Sequence, residues 1–200
     1  MKMKDVKTLI TGSVVLIALV LYMVFGDPPP EKSEEQVITA EEAIEITGGE
    51  LQEVEFVSVN DGDTINVNID GKKERVRLLM VDTPEMNYNK GEPMPYAEEA
   101  KDYTNNLLEN ANNIELLFDV GPKTDNYDRL LAYVFVDGEL LQENLLKEGL
   151  AAVRYIHEPN NSLEEQFYEV QKIAEKSKKN IWTTNDYFVN GKFNEDFKQQ

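Results

Sequence analysis

Three short stretches gather the side chains that could act on a charged substrate: Asn60-Asp61-Gly62-Asp63-Thr64, Arg75 to Glu85, and Thr124 to Tyr133. In the second, Arg77 stands inside a strongly apolar run, where a guanidinium needs a buried or half-buried partner. Asp82 follows where that run ends, Pro84 fixes the exit of the chain, and Glu85 comes three residues after Asp82. In the third, Tyr127 lies in a polar loop and Arg129 opens another apolar run. Hydrolysis of a phosphodiester needs charge stabilisation around the phosphorus and a positioned water. Two carboxylates can hold a hard cation, a third can orient or deprotonate the water, and two arginines can grip phosphate oxygens bidentately. Asp63, Asp82, Glu85, Arg77 and Arg129 supply such a set.

Each stretch also has a plain structural reading. Asp61-Gly62 is a hairpin-turn signal, and Asp-Gly recurs at 70–71 and 137–138 with no hint of chemistry. It does not open an EF-hand loop, because the remaining oxygen ligands do not follow at the required spacing. Arg77 could serve a structural ion pair with Asp82 or Glu85, and residues 124–133 could be an ordinary surface turn.

Composition limits the chemistry further. There is no cysteine and one histidine, His157, which excludes disulfides, thiolate zinc sites, a cysteine nucleophile and a zinc site of several imidazoles. A metal here must be a hard cation held by oxygen, meaning calcium, magnesium or manganese. The net charge is −18, and residues 51–182 alone carry 26 acidic and 14 basic side chains, a net of −12. The acidity belongs to the folded domain, and it opposes broad binding to phosphate polymers.

The elements that must position these residues can be read from periodicity. Residues 51–81 alternate as a three-strand meander punctuated by Asp-Gly turns. Tyr96 to Ala111 carries Ala100, Tyr103, Leu107, Leu108 and Ala111 at helical spacing. Two strands follow, over 114–118 and 130–136. A short helix marked by Leu140, Leu141, Leu145 and Leu146 then stops at Gly149. A last helix is expected to start at Ser162, with Glu165 completing a capping box and Leu163, Phe167, Val170 and Ala174 forming one apolar face. Trp182 is expected to close the core. Five strands and three helices in this order predict an α+β fold, a five-stranded OB-type β-barrel.

Outside the domain, expected to span 51–183, Lys2, Lys4 and Lys7 in a basic stretch over 1–8 precede an uncharged, mostly apolar run over 9–26. That run is at the short end of a bilayer span, and the flanking charge predicts that the rest of the chain is exported. An uncleaved membrane anchor is favoured over a cleaved signal segment, because Val24-Phe25-Gly26 is a poor match to the small-x-small cleavage pattern. Residues 27–50 read as a linker opening on Pro28-Pro29-Pro30, with Ala40 to Ile46 amphipathic enough for a helical turn or two. Residues 184–200 read as a polar tail.

Asp61-Gly62-Asp63-Thr64, Arg77 to Glu85 and Tyr127-Asp128-Arg129, together with Ala151 to Asn161 and Asn180-Ile181-Trp182, resemble the staphylococcal nuclease family in order and near-family spacing. The resemblance covers roughly 51–183 and implies a calcium-dependent nuclease acting on DNA and/or RNA, expected as a monomer. It implies that Asp63 and Asp82 bind calcium through carboxylates and Thr83 through its backbone carbonyl, with Asp61 supporting the ion indirectly. Glu85 would act on the attacking water as general base or orienting group. Arg77 and Arg129 would hold the scissile phosphate, and Tyr127 and Tyr155 would contact the nucleotide. Three positions depart from the pattern: Asn126 replaces a lysine, Asp128 a glycine, and His157 the second base-stacking tyrosine. His157 is read as a stacking or surface residue and not as a catalytic base. The competing reading is a non-catalytic OB module on a membrane stalk, which loss of Asp82, Glu85 or either arginine would have favoured.

Overall fold

The computed structural model describes residues 38–87 and 91–197. The basic stretch, the apolar run over 9–26 and the proline segment fall outside the described residues. No helix among the described residues is long and apolar enough to cross a membrane.

The first described element is helix α1 (Ala40–Thr47), and it corrects the linker expectation for its last third. Thr39 and Glu42 form a reciprocal capping box, and Gly48 ends the helix in the left-handed region. Ile38, Ala43 and Thr47 are buried, so this short helix joins the folded domain and does not lead up to it.

Extended chain begins at β1 (Leu51–Glu53) and β2 (Glu55–Asp61), which are one strand broken at Val54. The meander continues through β3 (Thr64–Ile69) and β4 (Lys72–Leu78), paired antiparallel. After β5 (Val81–Asp82) come α2 (Ala97–Glu109), β6 (Ile114–Leu117), β7 (Leu130–Val136), β8 (Glu139–Leu140), α3 (Leu141–Lys147), β9 (Ala152–Val153) and α4 (Glu164–Ser177). The sheet order is β1-β6-β7-β4-β3-β2, with β8 on the far end of β7. Its two ends, β1 and β2, are halves of one strand, and the Val54 N–H donates to Ile114 O at 2.9 Å. The sheet therefore closes on itself, and with β1 and β2 counted once it is the expected five-stranded OB-type barrel within an α+β fold.

Alternation explains the barrel interior: Ile65, Val67, Val76, Leu78, Leu116, Ala132 and Val134 are all buried. Tyr133 and Phe135 point the other way on β7 and are equally buried, because α3 and α4 cover the outer face. Phe167, Val170 and Ala174 form the expected apolar face of α4. Gly149 (φ 63°) lets α3 end with its N–H donating to Leu146 O and the Leu150 N–H donating to Leu145 O.

Two further expectations change. The capping box at Ser162 does not form: α4 starts at Glu164 without a side-chain cap. Ser162 instead donates its N–H and its hydroxyl to the buried Asp119 carboxylate at 3.0 and 2.6 Å. Residues 184–197 are also no loose polar tail. A hairpin of β10 (Phe188–Val189) and β11 (Lys192–Phe193) follows the short 3-10 turn Asn180–Trp182. Met94, Ala97, Ala152, Ile181, Tyr187 and Phe193 form a second apolar cluster, and Trp182 packs against that cluster and not in the barrel.

Candidate active site

The turn between β2 and β3 differs from its look-alikes. At 70–71 and 137–138 both residues of the Asp-Gly pair have positive φ, as a tight type I′ hairpin requires. Neither Asp61 nor Gly62 does, and the turn instead presses against α2: a Cβ on Gly62 would lie 2.8 Å from Ala100 Cβ and 2.8 Å from Thr83 Cγ2. Thr104 of α2 donates its hydroxyl to Gly62 O at 2.8 Å. The turn is thereby fixed with Asp63 buried, one carboxylate oxygen accepting the Thr83 N–H at 2.9 Å and the other the Thr64 hydroxyl at 3.1 Å.

Arg77 sits at the centre of this arrangement. β4 carries it beside Thr64 of β3, and β5 folds back so that Asp82 faces the same guanidinium. Arg77 Nη1 donates to Leu78 O and Val81 O at 2.9 and 2.7 Å, while Nη2 lies 3.2 Å from Asp63 and 3.5 Å from Asp82. The ion pair that the plain structural reading allowed with Asp82 or Glu85 is present with Asp82, and it is shared with Asp63. Arg154 completes the set by donating to the other Asp82 oxygen at 2.7 Å.

Crowding carboxylates in a buried place shifts their titration. Burial, then the charge of Asp63 and a hydrogen bond with it, pushes Asp61 up to about 7. Burial, then Asp63, raises Asp82 to about 6 in spite of Arg154 and Arg77. Among the described residues no three carboxylate or imidazole groups converge into a complete metal cage. The donors present are all oxygens, and their mutual repulsion is what a hard divalent cation would relieve, so the residues fit such an ion with water completing its shell.

The second arginine is mounted differently. Asp125 accepts the Arg129 backbone N–H at 3.0 Å and its Nε at 2.8 Å, with Nη2 at 2.7 Å. Burial alone would raise the Asp125 carboxyl, yet the N–H groups of Arg129 and Tyr127 and the guanidinium hold it below its ordinary value. The loop turns back at Asp128, whose φ of 57° is a conformation that favours glycine. Tyr127 lies under Arg129, with the guanidinium carbon 5.5 Å from the ring centre. Tyr155, itself at φ 56°, covers Arg77 at 5.5 Å and Arg154 at 4.6 Å.

These groups converge. One cleft of about 390 Å³ is lined by Arg77, Asp82, Glu85, Tyr127, Arg129, Tyr155 and His157, among others. Asp63 and Thr83 are buried and do not line it; Asp63 pairs with Arg77, which does, and accepts the Thr83 N–H. Sequence reasoning missed Arg154, Asp125 and Asn160. Asn160 lines the cleft and ties residues 121 and 122 to its own loop, accepting the Gly121 N–H and donating to Pro122 O. Arg154 and Asn160 stood inside the Ala151–Asn161 segment, and their partners Asp82, Gly121 and Pro122 lie 38 to 72 residues away in sequence.

The staphylococcal nuclease homologue family model matches residues 75–184. Endonuclease YncB of Bacillus subtilis is 47% identical over 67% of this chain and 63% of its own length. The SPbeta prophage-derived endonuclease YokF of the same organism is 43% identical over 72% of this chain and 49% of its own length. The chain thus spans about half to under two thirds of these two relatives. A thermonuclease of Staphylococcus intermedius is 36% identical over 88% of this chain and 98% of its own length.

Proposed function

This chain belongs to the staphylococcal nuclease family, and we propose that it is a calcium-dependent nuclease that hydrolyses phosphodiester bonds of DNA and/or RNA outside the cytoplasm. The observation that carries this reading is the single cleft that gathers Arg77, Asp82, Glu85 and Arg129 from separate segments, with Tyr127 and Tyr155 at its mouth. Relatives named as endonucleases and thermonuclease agree with it. Export rests on the lysine-flanked apolar run over 9–26.

The carboxylates of Asp63 and Asp82 and the Thr83 carbonyl would hold the ion. When bound, it supplies positive charge against the charge that develops on the phosphoryl oxygens. Glu85 is exposed at the cleft and is suited to orient the attacking water or take its proton as the new P–O bond forms. Arg77, held by two carbonyls and two carboxylates, presents fixed positive charge with little reorganisation. On Arg129, Asp125 occupies Nε and Nη2, which leaves Nη1 for a phosphate oxygen or the leaving oxygen.

Incubating the full chain with DNA and with RNA in calcium, magnesium or EDTA tests the proposal. Cleavage is expected with calcium and not with EDTA, and Glu85→Ala and Arg129→Ala should each lose on the order of 10²-fold or more in kcat. No cleavage with calcium, or unchanged rates in both variants, would refute the enzyme reading.

A further inference from the structure

Beyond Asp82, Glu85 and Tyr155 lies a second hollow of about 540 Å³, on the side away from Arg129. Its lining adds Met86, Met94, Phe193, Lys192 and Glu195 to those three shared residues, with Asp61, Asn87 and Arg154 completing it. The far wall therefore comes from β11 and the residues after it, a segment past the end of the family match at 184. The wall is firmly mounted. Tyr187 donates its hydroxyl to Pro95 O at 2.5 Å and stacks within 5.4 Å of Phe193 and 4.6 Å of Phe197, while Phe188 packs 5.0 Å from Phe193. These contacts fix the hairpin against the segment just before α2 and against Ala152 of β9, the strand that pairs with Asp82.

We infer that this hollow is a subsite for the nucleotide adjoining the scissile bond, and that Lys192 determines affinity there by meeting its phosphate. The inference rests on the nuclease reading of the neighbouring cleft and extends it to the substrate's next unit. Three observations point to this occupant. The hollow shares Asp82, Glu85 and Tyr155 with the proposed cleft, so it adjoins the place where a chain would pass Glu85. Met86, with the nearly buried Met94 and Phe193, gives the hollow a soft, partly aromatic patch beside its charged groups, which suits the edge or face of a base of any sequence. Lys192 is exposed and pairs with no carboxylate among the described residues, although the chain as a whole is strongly acidic. Arg154, the other cation of this lining, already donates to Asp82, while Asp61 and Glu195 oppose an anion and give the subsite a built-in counterweight.

The test compares the full-length protein with its Lys192→Glu and Glu195→Lys variants, both surface changes, on two substrates in calcium. One substrate is a nitrophenyl ester of a single nucleotide, which fills the Arg129 side alone; the other is an oligonucleotide of about eight units. Lys192→Glu should raise KM for the oligonucleotide about tenfold, Glu195→Lys should lower it severalfold, and kcat should hold for both. Neither variant should change KM for the single-nucleotide ester. Lys192→Ala should also flatten the salt dependence of oligonucleotide binding by about one phosphate contact, a slope change near 0.7 for a single strand. Equal oligonucleotide KM values in all proteins would overturn the subsite and leave the nuclease reading standing. Failure of the wild-type protein to cleave the oligonucleotide would overturn both.

Discussion

The carboxylates around Arg77 set how the protein should respond to pH and to its ion. Asp61 and Asp82 titrate near 7 and 6 in the folded state against an ordinary value of 3.8, so over that interval the folded chain holds protons that the unfolded chain has released. Stability that depends on proton uptake must fall as pH rises through this window, so these two groups make the ion-free protein less stable at pH 8 than at pH 5. An ion bound by the same site must displace those protons, and its stabilising effect should grow over the same interval. Thermal melts in EDTA and in calcium at the two pH values measure this: the calcium-induced rise in Tm should be larger at pH 8. A rise that is larger at pH 5 would place the ion elsewhere. Gly62 offers a second test at this scale. Gly62→Ala drives a methyl group into Ala100 and Thr83, and should cost about 1–3 kcal/mol and raise the calcium concentration needed for half-maximal cleavage.

At the scale of elements, a local pattern was decisive only where no tertiary partner competed for it. Thr39-Ala40-Glu41-Glu42 and Ser162-Leu163-Glu164-Glu165 carry the same capping signature, yet only the first forms a box. Asp119 takes both the amide and the hydroxyl of Ser162, and it also accepts the Tyr133 hydroxyl at 2.7 Å. A partner so distant in sequence leaves no local trace. Arg77, Asp82 and Glu85 were legible because an arginine within an apolar strand and carboxylates at its exit are anomalies that a window of ten residues displays. Arg154 was not, since the carboxylate it serves is in another strand. The C-terminal hairpin had a signal that was passed over, namely Tyr187, Phe188, Phe193 and Phe197 within an otherwise polar stretch. For the helix that does cap, Thr39→Ala should lower stability by about 1 kcal/mol in urea titration while kcat stays the same. An effect on kcat would mean that α1 reaches the cleft.

For the whole molecule, the charge of −12 over residues 51–182 governs how it meets a polymer. Few condensed counterions can be released by a surface with an excess of negative charge, so the affinity should lean on the site and its ion. Binding of single-stranded DNA is expected to be weak in EDTA, in the micromolar range or above, and its dependence on salt shallow, corresponding to about two or three phosphate contacts. Fluorescence anisotropy against salt concentration reads both, and a nanomolar affinity in EDTA would contradict them. The barrel supports this economy, because parallel pairing of β4 with β7 sets Arg77 opposite Leu131 and so near Arg129, and two arginines serve where a basic surface is lacking.

The strand broken at Val54 also imposes an order on assembly. Its second half can pair with β3 as soon as a short hairpin forms, whereas its first half waits for β6, with Leu51 opposite Leu117. Loop closure over that separation makes the seam at Val54 the late event, formed after the transition state has buried the meander. Truncating the buried side chain, Val54→Ala, should therefore speed unfolding in stopped-flow urea jumps and leave the refolding rate nearly unchanged. Refolding slowed by the full loss of stability would instead make the seam part of the nucleus. On this view the barrel shuts like a clasp, and the protein should lose its closure kinetically well before it loses the strands that carry its chemistry.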